Sequence, residues 1–315
     1  MDQGDCLVHR LPLGGGQLMH VEEHGNPGGL PALVLHGGPG SGGSPLQRAC
    51  LDPARFRILC PDQRGAGRST PRGCIEDNTL AHLLADLRLL REQLGVERWL
   101  VVGGSWGATL ALLHAADQPQ AVAGLLLRNV FLARAEDIAG FFAAAAATGA
   151  PGWARLLRQA QSARRTLPEF LADLFATGAM AAQRAAAASW WAAEQRLQGL
   201  DPAPPADPAA LDRLVDRYRV QSHYLKHGCW LAQEPLLARC VRLPAVPILV
   251  LQAMEDAVCP PAGARALEQA LRGRATVRLV PGAGHDPAHP AMAEAMREAL
   301  RSISAGPGCL AAPPW

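Results

Sequence analysis

The chain has 315 residues, 49% of them hydrophobic, and sets 30 Lys and Arg against 28 Asp and Glu for a formal net charge of +2. That length can bury a large core and predicts roughly two domains, or one domain with an insertion; so balanced a charge, with no basic run, argues against nucleic acid as a partner. No stretch of about 18 uncharged apolar residues occurs, and the N-terminal MDQGDCLVHRLPLGGGQ lacks a charged start followed by an apolar segment, so a soluble, cytoplasmic protein without membrane contact is expected.

In chain order, the first strong signal is PALVLHG (31–37), an apolar run that ends in the glycine-rich loop HGGPGSGG. FRILCPD (56–62) repeats the pattern and runs into DQRGAGRS. TLAHLLADLRLLREQLG then puts Leu80, Leu83, Leu84, Leu87, Leu90 and Leu94 on one helical face, with Asn78 as the expected N-cap and Gly95 as the stop. WLVVGGS (99–105), AGLLLRN (123–129), PILVLQA (247–253) and TVRLVPG (276–282) are further short apolar runs. Being continuous rather than alternating, they read as strands buried on both faces of a parallel sheet, and their alternation with helical patterns makes the class α/β.

Strand signals stop from Leu132 to Arg242, where WARLLRQAQ and ALDRLVDRYRVQSHYL read as helices and TGAPG and GLDPAPPADPAA as breaks. The expected organisation is a mostly parallel sheet flanked by helices over residues 1–131 and 243–315, with 132–242 as an inserted helical cap. Eight cysteines at irregular spacing, with no CxxC pair, signal neither a zinc site nor a disulfide framework and are read as thiols, mostly buried. No cofactor is implied.

GGSWG fits GxSxG at Gly103, Ser105 and Gly107, with an apolar strand before it and a helix after it. A serine hydroxyl is a poor nucleophile, so it needs exposure, a nearby base and donors for an oxyanion. A strand-to-helix elbow exposes it and sets the Trp106 N–H beside it at a helix start, where negative charge is favoured. The partners should follow in the order Ser, Asp, His. ILVLQAMEDAVCPP and VRLVPGAGHDPAHP are strands ending in loops that supply them. Glu255 and Asp256 compete as the acid, with Asp286 a distant third; His285 competes with His289 as the base. Asp256 and His285 are favoured. The second oxyanion donor is expected from Gly37 or Gly38, with Gly38 preferred, and His36 is read as a brace for that loop.

Together HGGPG, PDQRGAGRS, GGSWGATLAL, EDAVCPP and GAGH resemble the proline iminopeptidases, serine peptidases of the α/β-hydrolase fold that release an N-terminal proline. The resemblance spans nearly the whole chain and implies Ser105, Asp256 and His285 as triad. It implies short peptides as substrates, and a cap glutamate that binds the substrate amine, here Glu194 in SWWAAEQ. At the position of a second family glutamate this chain has Gln221, in VQSHYL, which can accept a hydrogen bond but brings no charge. Arg128, Phe131 and Cys259 are the other implied pocket positions. DQRGAGRS is read as a brace, through charge-assisted bonds of Asp62, Arg64 and Arg68. An esterase or amidase for small neutral acyl groups is the alternative that Gln221 favours. Oligomeric state is not legible.

Overall fold

The computed structural model describes residues 6–305 apart from 202 and 204, so Cys309 and the outermost ends of the two expected core segments lie outside the described residues. Among the described residues, eight strands form one sheet: β1 (Leu7–Gly14), β2 (Gln17–Gly25), β3 (Leu30–Leu35), β4 (Phe56–Pro61), β5 (Trp99–Ser105), β6 (Val122–Val130), β7 (Ile248–Ala253) and β8 (Thr276–Val280). Their order is β1-β2-β4-β3-β5-β6-β7-β8, parallel from β4 to β8 and antiparallel at β1/β2 and β2/β4. The molecule has the α/β-hydrolase fold.

The helices are α1 (Pro45–Arg48), α2 (Leu80–Gln93), α3 (Trp106–Asp117), α4 (Ala135–Ala147), α5 (Trp153–Ser162), α6 (Leu167–Thr177), α7 (Met180–Leu197), α8 (Pro208–Lys226), α9 (Leu236–Arg239), α10 (Pro261–Leu271) and α11 (Pro290–Ala305). Helices α4 to α8 all fall between β6 and β7.

The period of two along each strand explains the continuous apolar runs. Leu33, Leu35, Trp99, Val101, Leu125 and Leu127 face one cluster, with residues of α2, α3 and α10. Ala32, Val34, Leu100, Val102 and Leu126 face the other, against Met292, Met296, Leu300 and Ile303 of α11. A third cluster, built on Phe141, Phe142, Trp153, Phe175, Trp190 and Tyr218, lies among α4 to α8. Each face of the sheet and the helical segment therefore has its own buried apolar centre.

Two differences from the sequence expectation have physical causes. The β1/β2 hairpin is not among the expected strands: it turns through Gly14, Gly15 and Gly16, all at positive φ, and its outer strand mixes exposed polar and apolar residues. The N-cap of α2 is Thr79, whose side chain accepts from His82 N, and not Asn78. Asn78 is fully buried, with its amide committed to Arg64 O at 3.0 Å, Cys74 O at 2.7 Å and Tyr224 OH at 2.9 Å. At the other end Gly95 (φ +62°) does stop the helix, and Val96 N returns to Arg91 O at 3.0 Å. Among the described residues, no helix is long and apolar enough to cross a membrane.

Candidate active site

Ser105 sits where β5 gives way to α3, at φ 57° and ψ −124°. A non-glycine residue holds so unfavourable a backbone only when its surroundings impose it. The neighbouring glycines explain how. A Cβ on Gly103 would lie 2.3 Å from Gly107 O, and one on Gly107 2.2 Å from Leu35 O. Strand, elbow and helix thus pack at backbone distance. Trp106 begins α3, so its N–H has no partner within the helix and points from a helix N-terminus.

The loops after β7 and β8 bring the next two residues together. Asp256 Oδ2 lies 2.7 Å from His285 Nδ1, with the Asp256 side chain fully buried and the His285 side chain 18% exposed. The other carboxylate oxygen of Asp256 accepts from Val258 N and Cys259 N, both at 2.8 Å. Of the competing acids, Glu255 is exposed and Asp286 accepts from Ala288 N at 2.8 Å. His289 stands at the start of α11 and Ala293 N bonds its carbonyl. The Ser105 hydroxyl contacts Cys259 Sγ at 3.7 Å. Burial pushes the Cys259 thiol far above its usual pKa, and the neighbouring Asp256 charge adds to this, so it stays protonated.

Two residues hold the His285 loop. Arg128, 8% exposed, donates to His285 O at 2.7 Å. Asn129, in the left-handed region at φ 47°, donates to Gly284 O at 3.1 Å and accepts from Ala253 N at 2.9 Å. It ties the ends of β6 and β7 to that loop. Sequence patterns did not single out Asn129.

The loop after β3 lies against the elbow, where a Cβ on Gly37 would be 3.6 Å from Ser105 Cβ. Gly38 has φ +113°, a conformation suited to glycine. His36 is buried and braces this loop: Nδ1 donates to Gly37 O at 2.8 Å and Nε2 accepts from Gln63 N at 2.9 Å. Burial lowers its pKa, consistent with a neutral ring. The Gln63 side chain bridges His36 O (3.0 Å) and the Trp106 indole N–H (2.8 Å). The rest of DQRGAGRS braces too. Asp62 accepts from Gly43 N at 2.5 Å and from Arg68 N and Nε at 2.9 Å, and these bonds hold its pKa down against the effect of burial. Arg64 instead forms a buried two-point pair with Asp86 of α2, at 2.6 and 2.7 Å.

A cavity of about 210 Å³ opens over Ser105 and His285. Gly37, Gly38, Arg128, Phe131 and Cys259 line it near the elbow; Glu194 and Gln221 line it from α7 and α8. The Trp106 side chain is fully buried and is not part of the cavity lining. Glu194 receives Arg217 Nη2 at 2.7 Å and Tyr218 OH at 3.0 Å on one oxygen, and Gln221 Nε2 at 3.3 Å on the other. Arg217 and Tyr218 were missed from sequence, although Arg217 stands one helical turn before Gln221. Asp256, Cys259 and His285 have donor atoms within 4.8 Å of one another, as do Cys6, Glu22 and His24 near the hairpin edge.

Residues 31–289 match the alpha/beta hydrolase fold family. The chain is 36% identical over 289 residues to the proline iminopeptidase of Neisseria gonorrhoeae, covering 90% of this chain and 92% of that one. The chain belongs to the proline iminopeptidase family. It is also 35% identical over 292 residues to the proline iminopeptidase of Xanthomonas citri, covering 88% and 90% of the two chains. Among solved structures, the proline iminopeptidase of Mycobacterium smegmatis aligns with a TM-score of 0.61 at 20% identity, covering 94% of this chain and 97% of that one. Epoxide hydrolase A of Mycobacterium thermoresistibile aligns equally well, with a TM-score of 0.61 at 20% identity and coverage of 94% and 98%. Fold alone therefore does not choose the reaction, and the chemistry has to come from the site.

Proposed function

We propose that the protein is a serine exopeptidase that releases N-terminal proline from short peptides through an acyl-enzyme. The observation that carries this reading is the Asp256–His285 pair at 2.7 Å, whose histidine lines one cavity with the elbow serine and the Glu194 carboxylate. Kinship with proline iminopeptidases at 35–36% identity over 88–90% of the chain supports the substrate class.

In this mechanism the Ser105 hydroxyl rotates from Cys259 toward His285 Nε2, which takes its proton as Oγ attacks the prolyl carbonyl. Asp256 fixes the ring so that Nδ1 carries the hydrogen and supports the imidazolium as it forms. The Trp106 and Gly38 N–H groups receive the oxyanion. Collapse of the tetrahedral intermediate expels the peptide amine, which takes the proton from His285. Water, activated by the same histidine, then frees proline and restores Ser105. Phe131 and Cys259 wall the pyrrolidine ring, Arg128 holds the histidine loop, and Glu194 with Gln221 faces the substrate nitrogen. Helices within 132–242 act as the cap that closes the far end of the cleft, which fits removal of a single terminal residue.

The specific observation that favours a second reading, an esterase or amidase for small neutral acyl groups, is Gln221 in place of a second carboxylate. Proline naphthylamide, its N-acetyl form and a simple aryl ester, compared on kcat/KM with Ser105→Ala as the blank, separate the two. The peptidase reading requires the prolyl amides to exceed the ester; an ester that wins establishes the alternative.

A further inference from the structure

A protonated proline nitrogen is a dialkylammonium that needs acceptors, and it gains most from an uncompensated negative charge. The wall that would receive it offers one carboxylate, Glu194, and that carboxylate is already matched by a cation of the protein itself. Arg217 Nη2 approaches it at 2.7 Å. The guanidinium is held there from two sides. Its carbon lies 5.2 Å from the centre of the Tyr218 ring, which stacks on Trp190 at 4.7 Å, and the Tyr218 hydroxyl bonds the same Glu194 oxygen. The charged groups of this wall are Arg128 and Arg217 against Glu194 alone, the Asp256 carboxylate being committed to His285. Gln221 is 6% exposed, and its Oε1 is buried without a partner. It is an acceptor with no charge.

We propose that Arg217 is a specificity-determining residue whose guanidinium occupies the place of the substrate's ammonium on Glu194, so that the site discriminates only weakly between free and N-acylated prolyl groups. A free imino group enters by displacing or sharing with Arg217; an acylated nitrogen, uncharged, loses nothing by finding Glu194 neutralised. The inference rests on the peptidase reading of the same cavity.

The test compares kcat/KM for proline naphthylamide and N-acetylproline naphthylamide in the wild type, Arg217→Met and Arg217→Gln, with KM and kcat resolved. The wild-type ratio of free to acetylated substrate is expected within about 10-fold. Loss of the competing cation in Arg217→Met should raise that ratio by about 10-fold or more through a lower KM for the free substrate, with Arg217→Gln intermediate. Inhibition by pyrrolidinium, a probe of the nitrogen site alone, should tighten in the same order. A ratio and pyrrolidinium affinity that do not move, or that fall, in whichever variant folds would overturn the role of Arg217 while leaving the peptidase reading intact. A wild type that cleaves an aryl ester but neither prolyl amide would overturn both.

Discussion

The Trp106 indole N–H donates to Gln63 Oε1 at 2.8 Å, and the amide of the same glutamine donates to His36 O at 3.0 Å. One side chain from the loop after β4 thus fixes the distance between the elbow and the glycine loop, the two segments expected to supply the oxyanion donors. Gln63→Leu keeps the bulk and removes both bonds. It is expected to lower kcat by about 10- to 100-fold with little change in KM, because the donors matter most when charge develops on the carbonyl oxygen. Steady-state kinetics on proline naphthylamide check this; a change confined to KM would show that Gln63 acts elsewhere.

Gly107→Ala should be among the more damaging single methyl additions in the chain. Its Cβ would sit 2.2 Å from Leu35 O, a backbone atom in the centre of the sheet. Overpacking of this kind costs about 1 to 3 kcal/mol or more. Gly95→Ala is the comparison: it has φ +62° and open space around it, so only the left-handed conformation is penalised, by about 1 kcal/mol. Urea unfolding of the two variants should rank them in that order.

His114 supplies a pH dependence of stability. It is fully buried and accepts the Trp99 indole N–H at 3.0 Å, and burial lowers its pKa from 6.5 to about 4. The unfolded imidazole therefore takes up a proton first as pH falls, while the folded one stays neutral until about 4. Stability from this group is complete above pH 6.5 and is lost progressively down to about pH 4, by about 3 kcal/mol at most. His114→Gln, which keeps an acceptor without a titrating ring, should flatten that part of the curve; identical slopes in both proteins would rule the assignment out.

Gln221→Glu adds a second carboxylate 3.3 Å from Glu194, at the position where Gln221 Nε2 now donates. Arg217 offsets one of the two charges, so without a substrate cation the buried pair keeps one uncompensated negative charge and the variant should be less stable. With a free N-terminal amine the charge is satisfied, and kcat/KM for proline naphthylamide is expected to rise by about 5- to 100-fold, the worth of one charge-assisted hydrogen bond. No gain on the unblocked substrate would mean the nitrogen is held elsewhere.

The parts of the fold that were readable in sequence are those where one physical demand dominates. Strands β3 to β7 carry unbroken apolar runs because both faces are covered, and α2 shows its leucine stripe because one face is. The hairpin escaped notice because its outer strand carries no such demand. At the site, the elbow was legible in Gly103 and Gly107, where close backbone approach admits no other residue type, with Ser105 between them. Which of Asp256 and Glu255 lies buried beside His285 depends on how the loop after β7 turns, and sequence spacing does not show that. Arg217 shows why residues of the helices between β6 and β7 are harder: its partner lies 23 residues away on α7, and nothing in either helix alone says which faces meet.

The cluster among α4 to α8 shares no buried member with the two sheet clusters, and Phe131, half-buried at the point where the chain leaves β6, packs against both it and one of them. Helix α8 joins the two interiors more closely: Val215, Tyr218 and Leu225 lie in the helical cluster, while Val220 and Tyr224 lie in the sheet cluster, where Tyr224 packs on Trp106 at 5.2 Å and bonds Asn78 at 2.9 Å. Exchanging α8 would therefore uncover Trp106 and Asn78, whereas α4 to α7, which add nothing to the sheet clusters, could be rebuilt without touching the residues packed around the elbow.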